Sequence, residues 1–169
     1  MNDAGGYLTD ESIGEAIAFR QAMVRLNKEI LQRNANDWWF GVWQPDVVNG
    51  VPFVDVDPEI LRQGDAWVLK PEATWHGFGD LGSDYCMLDP IKVTVLTPGQ
   101  TLEGQMEKSG IPAPLVSSFL SSRGIVVEKT EPYSILLLFS LGVTKGKWGS
   151  LVAGLMEFKK HYDGNSPLE

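Results

Sequence analysis

An α+β fold, with a largely antiparallel sheet of three to four strands and helices packed on it, is predicted by three features of the C-terminal half. Ile91–Thr97 alternates and is β-branched, which suits a strand with one covered face. Ile135–Phe139 is a continuous apolar run, which suits a strand buried on both faces. Helical spacings follow Pro112 and Thr144. The order strand, helix, strand, strand, helix builds one small layered unit over 89–169.

The elements follow in order. Residues 1–8 read as a flexible lead-in containing Gly5 and Gly6. From Thr9 to about Asn34 the pattern is helical: Ile13, Ala16 and Ile17 form a stripe that Phe19, Met23, Leu26 and Ile30 continue. Thr9 or Asp10 can cap its start. Trp38–Trp43 is a dense aromatic run stopped by Pro45, and Asp46–Pro90 is rich in Pro and Gly. Short ordered pieces are predicted at Val51–Val56, Pro58–Gln63 and Trp67–Leu69. A loop-rich span of that length is rare inside a self-contained domain, so support from another surface is expected for 9–88. Further on, Pro112 opens a helix with the stripe Leu115, Val116, Phe119 and Leu120, and Gly124 closes it. Ile125–Lys129 is a second strand and Tyr133–Ser140 a third. Thr144 caps a last helix with the stripe Trp148, Leu151, Val152, Leu155 and Tyr162.

Composition narrows the function classes. Across 169 residues the formal charge is −8, which argues against nucleic acid, whose binding needs clustered Lys and Arg. No apolar run is long enough to span a membrane. The N-terminus is acidic and polar, unlike a signal peptide. The single cysteine, Cys86, fits a reducing cytoplasm. Six Trp in this length suggest buried seams or contact surfaces.

Few motifs carry chemistry. Gly77–Gly82 matches G-x-G-x-x-G by letters, but no strand precedes it and Pro90 denies it a long helix, so a turn-rich loop is the better account. Gly142–Lys147 resembles a phosphate loop one residue short, with Trp148 where a metal-binding hydroxyl is needed. His76 and His161 are the only histidines, far apart and without Cys-x-x-Cys, so no zinc site is expected. His76 satisfies a loop, and His161 suits a helix C-terminus. Cys86 has no basic neighbour and reads as an inert, buried thiol. Asp55 and Asp57, beside Pro58, form a turn and cap. Glu128 stands out in its apolar strand. Alternation places it on one face with Val126, and a carboxylate on a covered face needs a cation. It is either an ion-paired or solvent-facing strand end, or a recognition point for a cationic ligand.

Several long strings carry a resemblance. Asp89-Pro90-Ile91-Lys92-Val93-Thr94 with Thr97-Pro98-Gly99, Gly110-Ile111-Pro112-Ala113-Pro114, Gly124–Thr130 and Phe139–Gly149 resemble the bacterial ornithine/lysine/arginine decarboxylases. Trp75-His76-Gly77-Phe78 and Phe158–Asp163 look like the arginine-decarboxylase branch. The resemblance runs from about Thr9 to the end. It implies a piece of a cytoplasmic, oligomeric lyase that uses pyridoxal phosphate, with an aspartate-aminotransferase-like fold. This chain would then be the small aminotransferase-like subdomain at the end of the major domain. It also implies that Glu128 lies near the distal cation of the substrate in lysine and ornithine relatives. Some arginine enzymes carry an uncharged residue there, so the two signals imply a basic amino acid without choosing one.

The family's Schiff-base lysine sits in a Ser-x-His-Lys motif, which these residues lack: Gly77 follows His76 and Tyr162 follows His161. The expectation is therefore a decarboxylase fragment that supplies a pocket wall and part of the dimer seam, binds no cofactor alone and is inactive alone. Its partners would be the rest of the enzyme or a homologous subunit. The alternative is a non-catalytic module that pairs with or regulates a full-length decarboxylase.

Overall fold

The computed structural model describes residues 3–79, 81–82, 86–101, 103–140 and 145–168, with side chains from residue 10 in the first helix and from residue 147 in the last. Helix α1 spans Asp3–Arg33, so Thr9 and Asp10 lie inside it and do not cap it. Strand β1 (Gly41–Val42) follows the aromatic run, and β2 (Val47–Val48) and β3 (Val51–Pro52) form a small hairpin. A short helix α2 (Pro58–Leu61) starts at Asp57, whose carboxylate accepts from the Glu59 N–H. Then come β4 (Lys92–Leu96), α3 (Ala113–Ser122), β5 (Lys129–Thr130), β6 (Ser134–Leu138) and α4 (Lys145–Asp163). The predicted cap Thr144 lies outside the described residues.

Four strands form one antiparallel sheet in the order β1-β4-β6-β5. In the central pair Val93 faces Leu137 and Val95 faces Ile135, and all four are buried. This is the covered face the alternation predicts. It is packed by Ala16, Phe19 and Met23 of α1, Val116, Phe119 and Leu120 of α3, and Leu151, Leu155 and Phe158 of α4. Three readings need correction. β6 is covered on one face only, since Leu136 is half-buried and Leu138 is exposed. Leu115 is exposed, because it lies off the side of α3 that carries Val116, Phe119 and Leu120. Tyr162 is exposed as well, stacking on Phe158, which occupies the buried place.

The loop-rich middle, expected to lean on another surface, also packs on itself. It builds a second core from Val48, Phe53, Val56, Leu61, Trp67, Leu69, Trp75 and Leu88, closed by Ile17 of α1. Gln21, one turn further along, donates to the Phe53 and Val56 carbonyls at 3.1 and 2.8 Å. Helix α1 is therefore two-sided, its stripes directed at two different cores.

Between those stripes sits Arg20, fully buried. Its Nε donates to Pro90 O (3.2 Å) and its Nη2 to Lys92 O (3.0 Å). Its Nη1 donates to Trp43 O (3.2 Å) and Gln44 Oε1 (3.3 Å). The guanidinium also lies 4.9 Å from the Trp67 ring. Burial pushes its pKa down to about 9, with Asp89 opposing the shift, so at neutral pH it stays charged. One side chain thus ties α1 to the residues flanking β1 and β4 and to the second core.

A second anchor joins the ends. Buried Lys159 of α4 pairs with Asp37 (2.6 Å) and with Asp163, and lies 4.8 Å from the Trp38 ring. Trp38 Nε1 donates to Asp163 at 2.7 Å. The Lys159 hydrogen bond and the Trp38 N–H hold Asp37 below its usual 3.8. A carboxylate with a depressed folded pKa stabilises the fold above its ordinary pKa, and that contribution disappears as pH falls through the folded value.

Arg20→Met strands at least three carbonyls without their donor, so stability in urea should fall by about 3 kcal/mol or more. A loss under about 1 kcal/mol would contradict the clamp. Asp37→Asn should be less stable than the parent near neutral pH, with the gap closing at pH values below the folded pKa of Asp37. A gap independent of pH would show that the contribution is not ionic.

Candidate functional site

The candidate site is the edge of the sheet at β5. Helix α3 ends at Gly124, whose φ of +77° suits a residue without Cβ. There Gly124 N–H bonds Ser121 O and Ile125 N–H bonds Leu120 O, both at 3.0 Å. This closure turns the chain back along the sheet. The predicted strand Ile125–Lys129 forms only at its end, because β5 is Lys129–Thr130. Lys129 is the register partner of Leu136, yet the Glu128 N–H also donates to Leu136 O, at 2.8 Å. Two residues facing one is a β-bulge, which bends an edge strand and re-aims a side chain.

Of the positions that the sequence left open, Glu128 takes the solvent-facing one. Val126 and Glu128 do point the same way, but that side is open: Val126 is 85 % exposed and Glu128 is exposed, while Ile125 and Val127 are half-buried. Glu128 is thus a solvent-facing strand end, and among the described residues no ion pair holds it. Its neighbour Lys129 pairs with Glu131 instead. Two residues along the chain, Val126 lines a cleft of about 170 Å³ together with Ile125, Leu138, Phe139, Trp148 and the one cation in that lining, Lys147. Exposed apolar surface next to a free carboxylate suits a ligand with an alkyl stem and a cationic end. Trp148 is fixed there by its indole, which donates to Glu15 at 2.6 Å and meets Phe19 edge-on.

The other candidates lie elsewhere. His76 is buried; its Nδ1 accepts from the Phe78 N–H (3.1 Å), which leaves Nε2 to donate to Lys70 O at 2.8 Å. It satisfies a loop, as read from the sequence. His161 lies in the last turn of α4, 3.8 Å from Glu157. Cys86 is half-buried rather than buried. In the glycine loop, Gly77 and Gly79 have positive φ, which is turn geometry, while Asp80 lies outside the described residues. Of Gly142–Lys147, residues 142–144 lie outside them too, and Lys145–Lys147 open α4. Among the described residues no group of His, Cys, Asp and Glu could hold a metal ion.

The described residues do not fit pyridoxal phosphate by themselves. A lysine that condenses with an aldehyde needs a neutral amine in an enclosed pocket. Lys159 is the one buried lysine among the described residues, and burial alone would lower its pKa. Asp163 and Asp37 outweigh that and raise it, which locks the ammonium into an ion pair.

Comparison with known proteins decides the family. The major domain of the Orn/Lys/Arg decarboxylases matches residues 1–147. The chain belongs to this decarboxylase family. It is 51 % identical to lysine decarboxylase LdcA of Pseudomonas aeruginosa over 165 residues, covering 98 % of this chain and 20 % of that protein. It is 44 % identical to the biodegradative arginine decarboxylase of Escherichia coli, covering 98 % of this chain and 23 % of that protein. The solved structure of lysine decarboxylase A from Pseudomonas aeruginosa superposes with a TM-score of 0.82 at 48 % identity, covering 99 % of this chain and 21 % of that one. The Escherichia coli constitutive lysine decarboxylase gives 0.78 at 42 % identity, covering 98 % and 21 %.

This decarboxylase segment therefore spans about a fifth of the length of the curated relatives it matches. Its fold is theirs. The lean toward the arginine branch, drawn from two short strings, is not supported by the identities over the whole segment. No described helix is long and apolar enough to cross a membrane.

Because the Glu128 side chain is exposed and carries no ion pair, Glu128→Ala should change the stability of the isolated chain by no more than about 0.5 kcal/mol. Urea unfolding measures this, and a loss above about 1 kcal/mol would assign the carboxylate to the fold rather than to a ligand.

Proposed function

We propose that this chain is the aminotransferase-like part of a basic amino-acid decarboxylase, in which it supplies a wall of the substrate pocket and part of the subunit seam. The observation that carries this reading is the match over 98 % of the chain to a lysine decarboxylase at 51 % identity. Pyridoxal phosphate and the lysine that anchors it are contributed by other residues of the enzyme. What these residues contribute is recognition. The substrate's alkyl stem lies along Val126 and Leu138, and its distal ammonium meets Glu128. The carboxylate gives a charge-assisted hydrogen bond, which favours substrates with a side-chain cation over neutral ones of the same length. The 51 % identity to LdcA, against 44 % to the arginine enzyme, favours lysine as that substrate.

The seam is read from the surface. Away from the cleft that Val126 lines, Phe78, Met87, Met106 and Leu115 present apolar surface that the chain itself leaves open. Contact with the rest of an enzyme would bury it.

The test is a chimera in which all 169 residues replace the matching segment of Pseudomonas aeruginosa LdcA. The chimera should decarboxylate lysine. Glu128→Gln in it should raise KM for lysine about tenfold, the loss of one charge-assisted hydrogen bond, with a smaller effect on kcat. A chimera that folds and takes up the cofactor but leaves lysine, arginine and ornithine untouched would contradict the proposal. The isolated chain, titrated with pyridoxal phosphate, should show no saturable one-to-one binding of the cofactor.

A further inference from the structure

The reading of Glu128 as the cation-binding carboxylate leaves a question of position. The segment that carries it has almost no ladder of its own, since β5 is two residues long and lies at the sheet's edge. Such a strand has hydrogen-bonding groups on its outer side that no neighbour fixes. Beyond the two-residue ladder to β6, in which Lys129 faces Leu136 and Thr130 faces Ile135, five hydrogen bonds hold the segment and its exit. Ile125 N–H bonds Leu120 O in the last turn of α3 at 3.0 Å, and Glu128 N–H bonds Leu136 O of β6 at 2.8 Å. Glu131 N–H bonds Ser134 O at 2.8 Å and closes the turn into β6, and Ala113 N–H at the start of α3 bonds Pro132 O at 2.8 Å. The Thr130 hydroxyl donates to Ser117 Oγ of α3 at 2.9 Å.

The first four are backbone bonds, which nearly any residue makes. The last is the only one of them made by side chains, so residue identity matters there. Ile125 fixes the entry to the segment at the end of α3 and Pro132 its exit at the start of the helix. Thr130 holds β5 itself to the middle of α3, three residues before the Leu120 carbonyl. Glu128 lies between the Ile125 and Thr130 attachments. Thr130 and Ser117 are both half-buried, so water competes only in part for their hydroxyls.

We propose that Thr130 and Ser117 are positioning residues for the substrate. Their hydroxyl pair pins the edge strand to α3 and thereby sets where the Glu128 carboxylate stands. The inference rests on the Glu128 reading and goes beyond it, because neither hydroxyl touches the ligand. Without the pin, the bulge keeps its backbone bond but the strand can tilt away from α3, and the carboxylate loses its fixed distance to the ammonium.

The test uses the LdcA chimera carrying the whole chain. Thr130→Val keeps the shape and removes the hydroxyl, Thr130→Ser keeps the hydroxyl, and Ser117→Ala removes the partner from the helix side. Thr130→Val and Ser117→Ala should each raise KM for lysine about fivefold, the worth of one hydrogen bond, with kcat within about twofold and the melting temperature little changed. Thr130→Ser should restore the parent KM. Inhibition by norleucine, which lacks the distal amine, should not change. In a Glu128→Gln background Thr130→Val should have no further effect on KM. If Glu128→Gln raises KM but Thr130→Val and Ser117→Ala leave it alone, the positioning proposal is overturned and the Glu128 reading survives. If Glu128→Gln leaves KM unchanged, the Glu128 reading itself fails. A Thr130→Val effect that persists unchanged in the Glu128→Gln background would show a route other than the carboxylate.

Discussion

A guanidinium sealed inside a protein with no carboxylate of the described residues hydrogen-bonded to it is an expensive arrangement, and the rest of this structure is organised around making it tolerable. Removing Arg20 from water costs several kcal/mol unless its N–H groups find acceptors. Four do, and all four acceptors are neutral oxygens: three main-chain carbonyls and the Gln44 amide. Those oxygens come from the two stretches where the sheet begins, around β1 and at the entry to β4. Satisfying one side chain therefore fixes the direction of both strands against α1. Lysine could not do this, because its ammonium is a point charge and cannot fork to carbonyls on two different segments.

The consequence reaches the second core. With α1 clamped, Ile17 and Gln21 face the 44–88 segment, and the aromatic side chains Phe53, Trp67 and Trp75 pack against that side. A stretch with little regular structure thus gains a defined shape from one helix that serves two layers. At the far end of the chain, Lys159 does for α4 a smaller version of what Arg20 does for α1, joining it to the turn after the first helix. The candidate edge at β5 lies away from both clamps. Like β1 it has a ladder of only two residue pairs, and it carries open apolar surface at Val126 and Leu138, the kind of place where recognition can be built without disturbing the core.

Much of this was legible in the residues. The alternation in Ile91–Thr97 gave the right covered face, and the order of elements gave three of the sheet's four strands, with the second shifted to Lys129–Thr130 and β1 not foreseen. Gly124 and Asp57 announced their caps. Asn49-Gly50, both with positive φ, marks the hairpin between β2 and β3 by a rule that sequence alone could have applied. What stayed hidden has physical causes. Arg20 sits in a helix with ordinary spacing, and nothing local says that an arginine there will be buried, because its partners lie 23 to 72 residues away. The two-sided character of α1 was hidden by a stripe that periodicity assigns to a single core. Alternation placed Glu128 with Val126 but could not say whether that side is covered, so a solvent-facing strand end and a recognition point for a cation both stayed open. The resemblance to decarboxylases drew attention to Glu128; the geometry then showed a carboxylate held out to solvent rather than buried in a strand.

The most direct test of this account is a crystal structure of the LdcA chimera soaked with lysine or its diamine product. The distal ammonium should lie within about 4 Å of the Glu128 carboxylate, the distance of an ion pair, with the alkyl stem against Val126 and Leu138. A distal ammonium paired with some other carboxylate, with Glu128 turned to solvent, would contradict it.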